Sequence, residues 1–146
     1  MAEPWQGERL ISLPAGQDAA VWVTKAPDGQ IWFGVRTPGG EACAYLGVSG
    51  ISELRINRRR SVVVGRREQD SLVEVRDKAQ RLLPVSLGPS VWAAVVPAKT
   101  SLTVSVRDGD KLLRSDAWET MARPFRFPVR LRGKARAPVI WRQQGS

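Results

Sequence analysis

The side chains best suited to chemistry in this chain are its arginines. Arg55, Arg58, Arg59 and Arg60 fall within six positions, and Arg66 and Arg67 follow closely. The C-terminal stretch adds Arg123, Arg126, Arg130, Arg132, Lys134, Arg136 and Arg142. A guanidinium offers a planar fork of donors matched to phosphate and carboxylate, and clustered cations bind polyanions by releasing their counterions. Phe125, Phe127 and Trp141 interleave with the tail cations, and flat rings of this kind stack on unpaired bases. The expected anion-binding residues are Arg58, Arg59, Arg60, Arg126, Arg130, Arg132, Lys134, Arg136 and Arg142, facing an acidic protein or a nucleic acid. The competing reading is a solvated arginine-rich surface with Phe125 and Phe127 in the core, since no recognised nucleic-acid-binding signature accompanies the charge.

Other chemistries find little to work with. The chain contains no histidine, which removes the commonest general base near neutral pH and every Ser-His or Cys-His nucleophile. Cys43 is the single cysteine, so no internal disulfide forms, no thiolate cluster holds a metal, and the usual activating partner for a nucleophilic thiol is missing. Asp108 and Asp110 flank Gly109 but lack the further oxygen ligands of a calcium loop, and they read as a hairpin turn. Glu68, Asp70, Glu74 and Asp77 sit among arginines and read as their ion-pair partners. Gly39-Gly40 and the glycines at 47 and 50 precede no lysine and no helix, so they are turns, not phosphate cradles. Of the tryptophans, Trp22, Trp32 and Trp92 lie in apolar runs and are expected in the core. Trp5, Trp118 and Trp141 remain as the possible surface platforms for a sugar. No enzyme activity and no cofactor are expected.

The elements that must carry these residues are strands. Val21-Trp22-Val23 and Ile31-Trp32-Phe33-Gly34-Val35 flank Pro27-Asp28-Gly29, a sequence with turn chemistry, and predict a hairpin. Residues 43–48 predict another strand. Leu102, Val104 and Val106 alternate with Thr103, Ser105 and Arg107, the period of two that a half-buried strand requires. Asp108-Gly109 then predicts a tight turn into Lys111-Leu112-Leu113-Arg114. Val62-Val63-Val64, residues 72–75 and residues 91–96 are further strands, and residues 81–87, broken by Pro84, suit a sheet edge. Residues 117–122 allow one helical turn before Pro124. Phe125, Phe127, Val129 and Leu131 alternate with Arg126, Pro128, Arg130 and Arg132, which predicts a last edge strand with a basic outer face.

Val62-Val63-Val64-Gly65, Val73-Glu74-Val75-Arg76, Val91-Trp92-Ala93-Ala94-Val95-Val96-Pro97 and Val104-Ser105-Val106-Arg107-Asp108-Gly109 follow one another in a set order. That order resembles small β-rich domains of uncharacterised actinobacterial proteins over residues 61–118. The resemblance implies a β fold and no catalytic activity. Domains of this kind often carry a cysteine pair and lie outside the membrane, whereas only Cys43 is present here.

The charge is unevenly spread. Residues 1–54 carry three basic and six acidic side chains, whereas residues 120–146 carry seven basic and none acidic, out of a net +9. At 146 residues, 42% hydrophobic and 25% charged, the chain has the profile of one globular domain. The expectation is an all-β protein: a single antiparallel β-sandwich or barrel-like domain over 1–122, with a basic extension over 123–146. No run approaches the ~20 apolar residues of a membrane-spanning helix. The start, Met1-Ala2-Glu3-Pro4-Trp5, has no signal-peptide pattern, which makes the cytoplasm the expected compartment. The expected function is a non-enzymatic interaction module whose basic surface engages an acidic partner. An accessory or sensory scaffold domain in a larger surface-associated assembly is the alternative.

Overall fold

A computed structural model describes residues 7–14, 19–38, 40–47, 50–68, 70–120 and 139–142. Every regular element among them is a strand: β1 Glu8–Pro14, β2 Ala20–Lys25, β3 Ile31–Thr37, β4 Gly40–Tyr45, β5 Ile51–Arg55, β6 Arg60–Arg66 and β7 Leu72–Arg76. The chain continues with β8 Leu82–Leu83, β9 Ser86–Gly88, β10 Val91–Pro97, β11 Ser101–Asp108, β12 Lys111–Glu119 and β13 Val139–Arg142. They form three antiparallel sheets, ordered β1-β2-β3-β4-β13, β5-β6-β10-β9 and β12-β11-β7-β8. Among the described strands each sheet has two ends to its order, so none of the three closes into a barrel. The all-β expectation holds. The described strands divide into three sheets, where a single sandwich or barrel was expected.

The third sheet follows from how the apolar residues divide. One core cluster joins Val21, Val23, Phe33, Val35 and Ala44 of the first sheet to Leu54, Val62, Val64, Val91 and Ala93 of the second. The other joins Ile51, Val63, Trp92, Ala94 and Val96 of the second sheet to Val75, Leu102, Val104, Val106 and Trp118 of the third. Side chains alternate faces along a strand, so Val62 and Val64 serve one core and Val63 the other. The central sheet is therefore covered on both sides. That is why β6 and β10 read as unbroken apolar runs, while β11, exposed on one face, alternates.

Two pairings show how closely the layers fit. Trp92 lies directly across from Gly65, and a Cβ at Gly65 would stand 2.3 Å from the indole. Trp22 likewise lies across from Gly34, on the face of the first sheet away from its core, with the guanidiniums of Arg9 and Arg36 5.6 and 5.2 Å from its ring centroid. Val95 is partly buried against the first cluster.

The turns form where their residues demand them. Asp28 accepts a hydrogen bond from the Gln30 amide, and Gly29 takes the left-handed conformation with φ 88°. Gly109, at φ 60°, closes the β11–β12 hairpin. Pro84, which lacks an amide proton, falls between β8 and β9. The expected single edge strand over 81–87 is in fact two, β8 on the edge of the third sheet and β9 on the edge of the second. Residues 117–119 continue β12 and form no helical turn, because Leu102 and Ser101 of β11 pair with Trp118 and Glu119. The edge strand expected over 125–131 lies outside the described residues. Of the tail, Val139–Arg142 adds β13 to the first sheet, with Ile140 across from Cys43 and Arg142 across from Glu41.

Candidate basic hairpin

The arginine cluster at 55–60 separates into two groups with different work. Arg55 ends β5, on the face that also carries Ile51 and Glu53, and is only 4% exposed. Its guanidinium donates from Nε to the Asn57 carbonyl and from Nη2 to the Arg58 carbonyl. Burial pulls its pKa below the ordinary arginine value, and the nearby Glu53 carboxylate pulls it back up. Glu53, 1% exposed within the second core, accepts a hydrogen bond of 2.9 Å from Trp118 Nε1. Trp118 on β12, Glu53, Arg55 and the β5–β6 turn are thus linked from the third sheet to the second.

Above that brace, Asn57 closes the turn. Its Oδ1 accepts from the amides of Arg59 (2.8 Å) and Arg60 (3.0 Å), the local bonding for which asparagine is favoured in turns. The amides of Ile56 and Asn57 both donate to the Arg60 carbonyl, and the Ala98 amide donates to the Arg59 carbonyl at 2.8 Å. The hairpin is therefore docked on the β10–β11 turn, where Lys99 is exposed with φ 57°. Arg58, Arg59 and Arg60 are all exposed, and among the described residues none of them forms an ion pair.

The remaining basic residues are placed differently. Arg66 and Arg67 lie at the far end of β6 from Arg60, roughly 20 Å away at about 3.3 Å per residue. Arg67 donates to the carbonyls of Ser71 and Gly88, which makes it a brace of that end. Arg76 and Arg107 share Glu74, Arg81 pairs with Asp77, and Arg114 pairs with Asp116, in keeping with the expectation for Glu74 and Asp77. Arg126, Arg130, Arg132, Lys134 and Arg136 lie outside the described residues. Arg142 sits in β13. The β4 strand runs from Gly40 to Tyr45 and connects through residues 46–50 to the start of β5. Arg142, across from Glu41, and the hairpin of Arg58, Arg59 and Arg60 both lie at the ends of their sheets away from that connection.

Two of the tryptophans depart from expectation. Trp118, expected as a surface platform, is 9% exposed because its ring fills the second core and its N–H is spent on Glu53. Trp32, expected in the core, is half-buried on the opposite face and packs edge-on against Tyr45 with centroids 5.5 Å apart. Cys43 is buried. Among the described residues no three His, Cys, Asp or Glu side chains gather as metal ligands, and no helix is long and apolar enough to cross a membrane. Asn57, Lys99, Glu53 and the bracing role of Arg55 do not stand out in the sequence. An asparagine between an apolar residue and an arginine run was the available signal for the turn.

Comparison with family models, with curated proteins and with solved structures returns no match.

Proposed function

We propose that the protein is a non-enzymatic interaction module whose β5–β6 hairpin presents Arg58, Arg59 and Arg60 to an acidic partner, protein or nucleic acid. The observation that carries this reading is the contrast within one run of arginines. Arg55 is buried and committed to the turn, whereas the next three guanidiniums are exposed and without an ion pair among the described residues. A preordered turn lowers the entropy lost when its side chains engage a partner. Lys99 adds a fourth cation beside the hairpin, and on sequence grounds we assign the same role to Arg126, Arg130, Arg132, Lys134, Arg136 and Arg142, since residues 120–146 hold seven cations and no anion.

The test titrates labelled single-stranded and duplex nucleic acid, and polyglutamate as the acidic-protein stand-in, between about 50 and 200 mM salt. Replacing Arg58, Arg59 and Arg60 together by Glu should lower the log–log salt slope by about 2–3 on duplex, at about 0.9 for each phosphate no longer neutralised. A preference for polyglutamate over both nucleic acids assigns the partner as protein. No binding to any of the three at the lowest salt overturns the reading.

A further inference from the structure

β12 is the longest of the described strands and ends the order of its sheet. It pairs with β11 on one side and with no described strand on the other. Of the other long edge strands, β1 ends at Pro14 and β5 is buried along its length. Along β12 only Trp118 is buried, while Leu112 and Leu113 are 49% and 41% exposed. A long open edge offers its unpaired amides and carbonyls to another strand unless something covers or disrupts it.

The sequence of that edge identifies the strand it fits. From Lys111 to Glu119 it reads Lys-Leu-Leu-Arg-Ser-Asp-Ala-Trp-Glu, with a cation at Arg114 and an anion at Asp116 placed symmetrically about Ser115. We infer that two copies of the chain associate by antiparallel pairing of their β12 strands about a two-fold axis at Ser115. The geometry restricts the alternatives. A two-fold axis perpendicular to a sheet must pass through a residue, because only then do opposed side chains share a face. An axis at Arg114 sets two arginines against each other, and an axis at Asp116 sets two aspartates together. Like charges directly opposed disfavour pairing. An axis at Ala117 places Asp116 opposite Trp118. At Ser115, Arg114 of each copy faces Asp116 of the other, and the two serines meet on the axis.

Arg114 and Asp116 are already aligned for this. They lie on one face of β12, 3.2 Å apart between Nε and Oδ2, and both are more than two-fifths exposed. Pairing extends that single ion pair into a ring of four charges. The irregularity of the strand, an extra residue at Leu113 relative to β11, lies outside the central three residues.

Sedimentation velocity across a concentration series tests this with the full chain. The wild-type protein should sediment at twice the 16.1 kDa chain mass in the micromolar range. Arg114→Asp alone and Asp116→Arg alone should each be monomeric at the same concentration, since each opposes like charges at the axis. Mixed in equal amounts, the two variants should form a heterodimer, because one now supplies two aspartates and the other two arginines. Recovery in the mixture also shows that both variants are folded. A wild-type protein that stays monomeric to ~100 µM, single variants that dimerise as well as wild type, or a mixture that stays monomeric would each overturn the inference.

Discussion

Replacing Gly65 by alanine tests the packing of the central layer at its tightest point. The added Cβ would lie 2.3 Å from two atoms of the Trp92 indole, where ordinary contact begins at 3.4 Å. Trp92 is 1% exposed and wedged between the second and third sheets, so its ring has no open space to enter. Either the strands of the central sheet part or the indole leaves its rotamer. Overpacking of a well-filled core costs about 1–3 kcal/mol, and displacing the indole altogether approaches the ~3–5 kcal/mol of deleting a buried aromatic. We expect about 3 kcal/mol, which for a chain of this size lowers the melting temperature by roughly 10 °C. Gly34 provides the control. Its added Cβ would meet Trp22 at 3.2 Å, and a shift of a few tenths of an ångström relieves the contact, so Gly34→Ala should cost below about 1 kcal/mol. Urea unfolding followed by circular dichroism measures both. In a Trp92→Leu background the Gly65→Ala cost should shrink by at least ~1.5 kcal/mol, the coupling expected of residues in contact. A Gly65→Ala protein within about 0.5 kcal/mol of wild type would refute the account of this pair.

Two other outcomes follow from buried and capped carboxylates. Trp118→Phe keeps the ring in the core but removes the donor to Glu53, and should cost about 1–3 kcal/mol by denaturant titration; a Glu53→Met background should reduce that cost to well under ~1 kcal/mol. The Asp77 carboxyl is held below the usual range, first by the Arg81 amide, with burial opposing and the Arg81 charge and Ala79 amide assisting. A depressed folded pKa adds stability that is full above the unfolded value of ~3.9 and vanishes as pH falls through the folded one. The stability gap between wild type and Asp77→Asn should therefore narrow as pH drops below about 4, and a gap unchanged from pH 7 to pH 3 would contradict the cap.

Much of the fold was legible because its signals are local. Asp28-Gly29 and Asp108-Gly109 mark hairpins by the backbone angles they accept, and Leu102, Val104 and Val106 alternate because β11 has one wet face. The third layer was not legible. An unbroken run such as Val62-Val63-Val64 says that both faces of a strand are covered, but not by which sheets. Pro84 marked an edge without revealing that the chain changes sheets there. β5 escaped notice because Glu53 and Arg55 break its apolar pattern, and their charges are buried only through partners distant in sequence or in the turn. For the same reason sequence spacing grouped Arg55 with Arg58, Arg59 and Arg60. Six residues can hold one structural cation and three solvent-facing ones, and only the turn decides which is which.

The chain's path through its layers governs how the protein comes apart. The first four strands form a meander of neighbours in sequence, with at most five residues between one strand and the next. The second and third sheets are interlaced instead: the chain visits the second sheet, crosses to the third for β7 and β8, returns for β9 and β10, and crosses again for β11 and β12. Neither of those two sheets is complete without strands on both sides of an excursion into the other. They should gain and lose amide protection together as one cooperative unit, while the meander, which packs on the second sheet through the first core, closes by local contacts. Its loop-closing entropy is small, so it reforms quickly, and the interlaced pair, with its longer separations in sequence, sets the pace of folding.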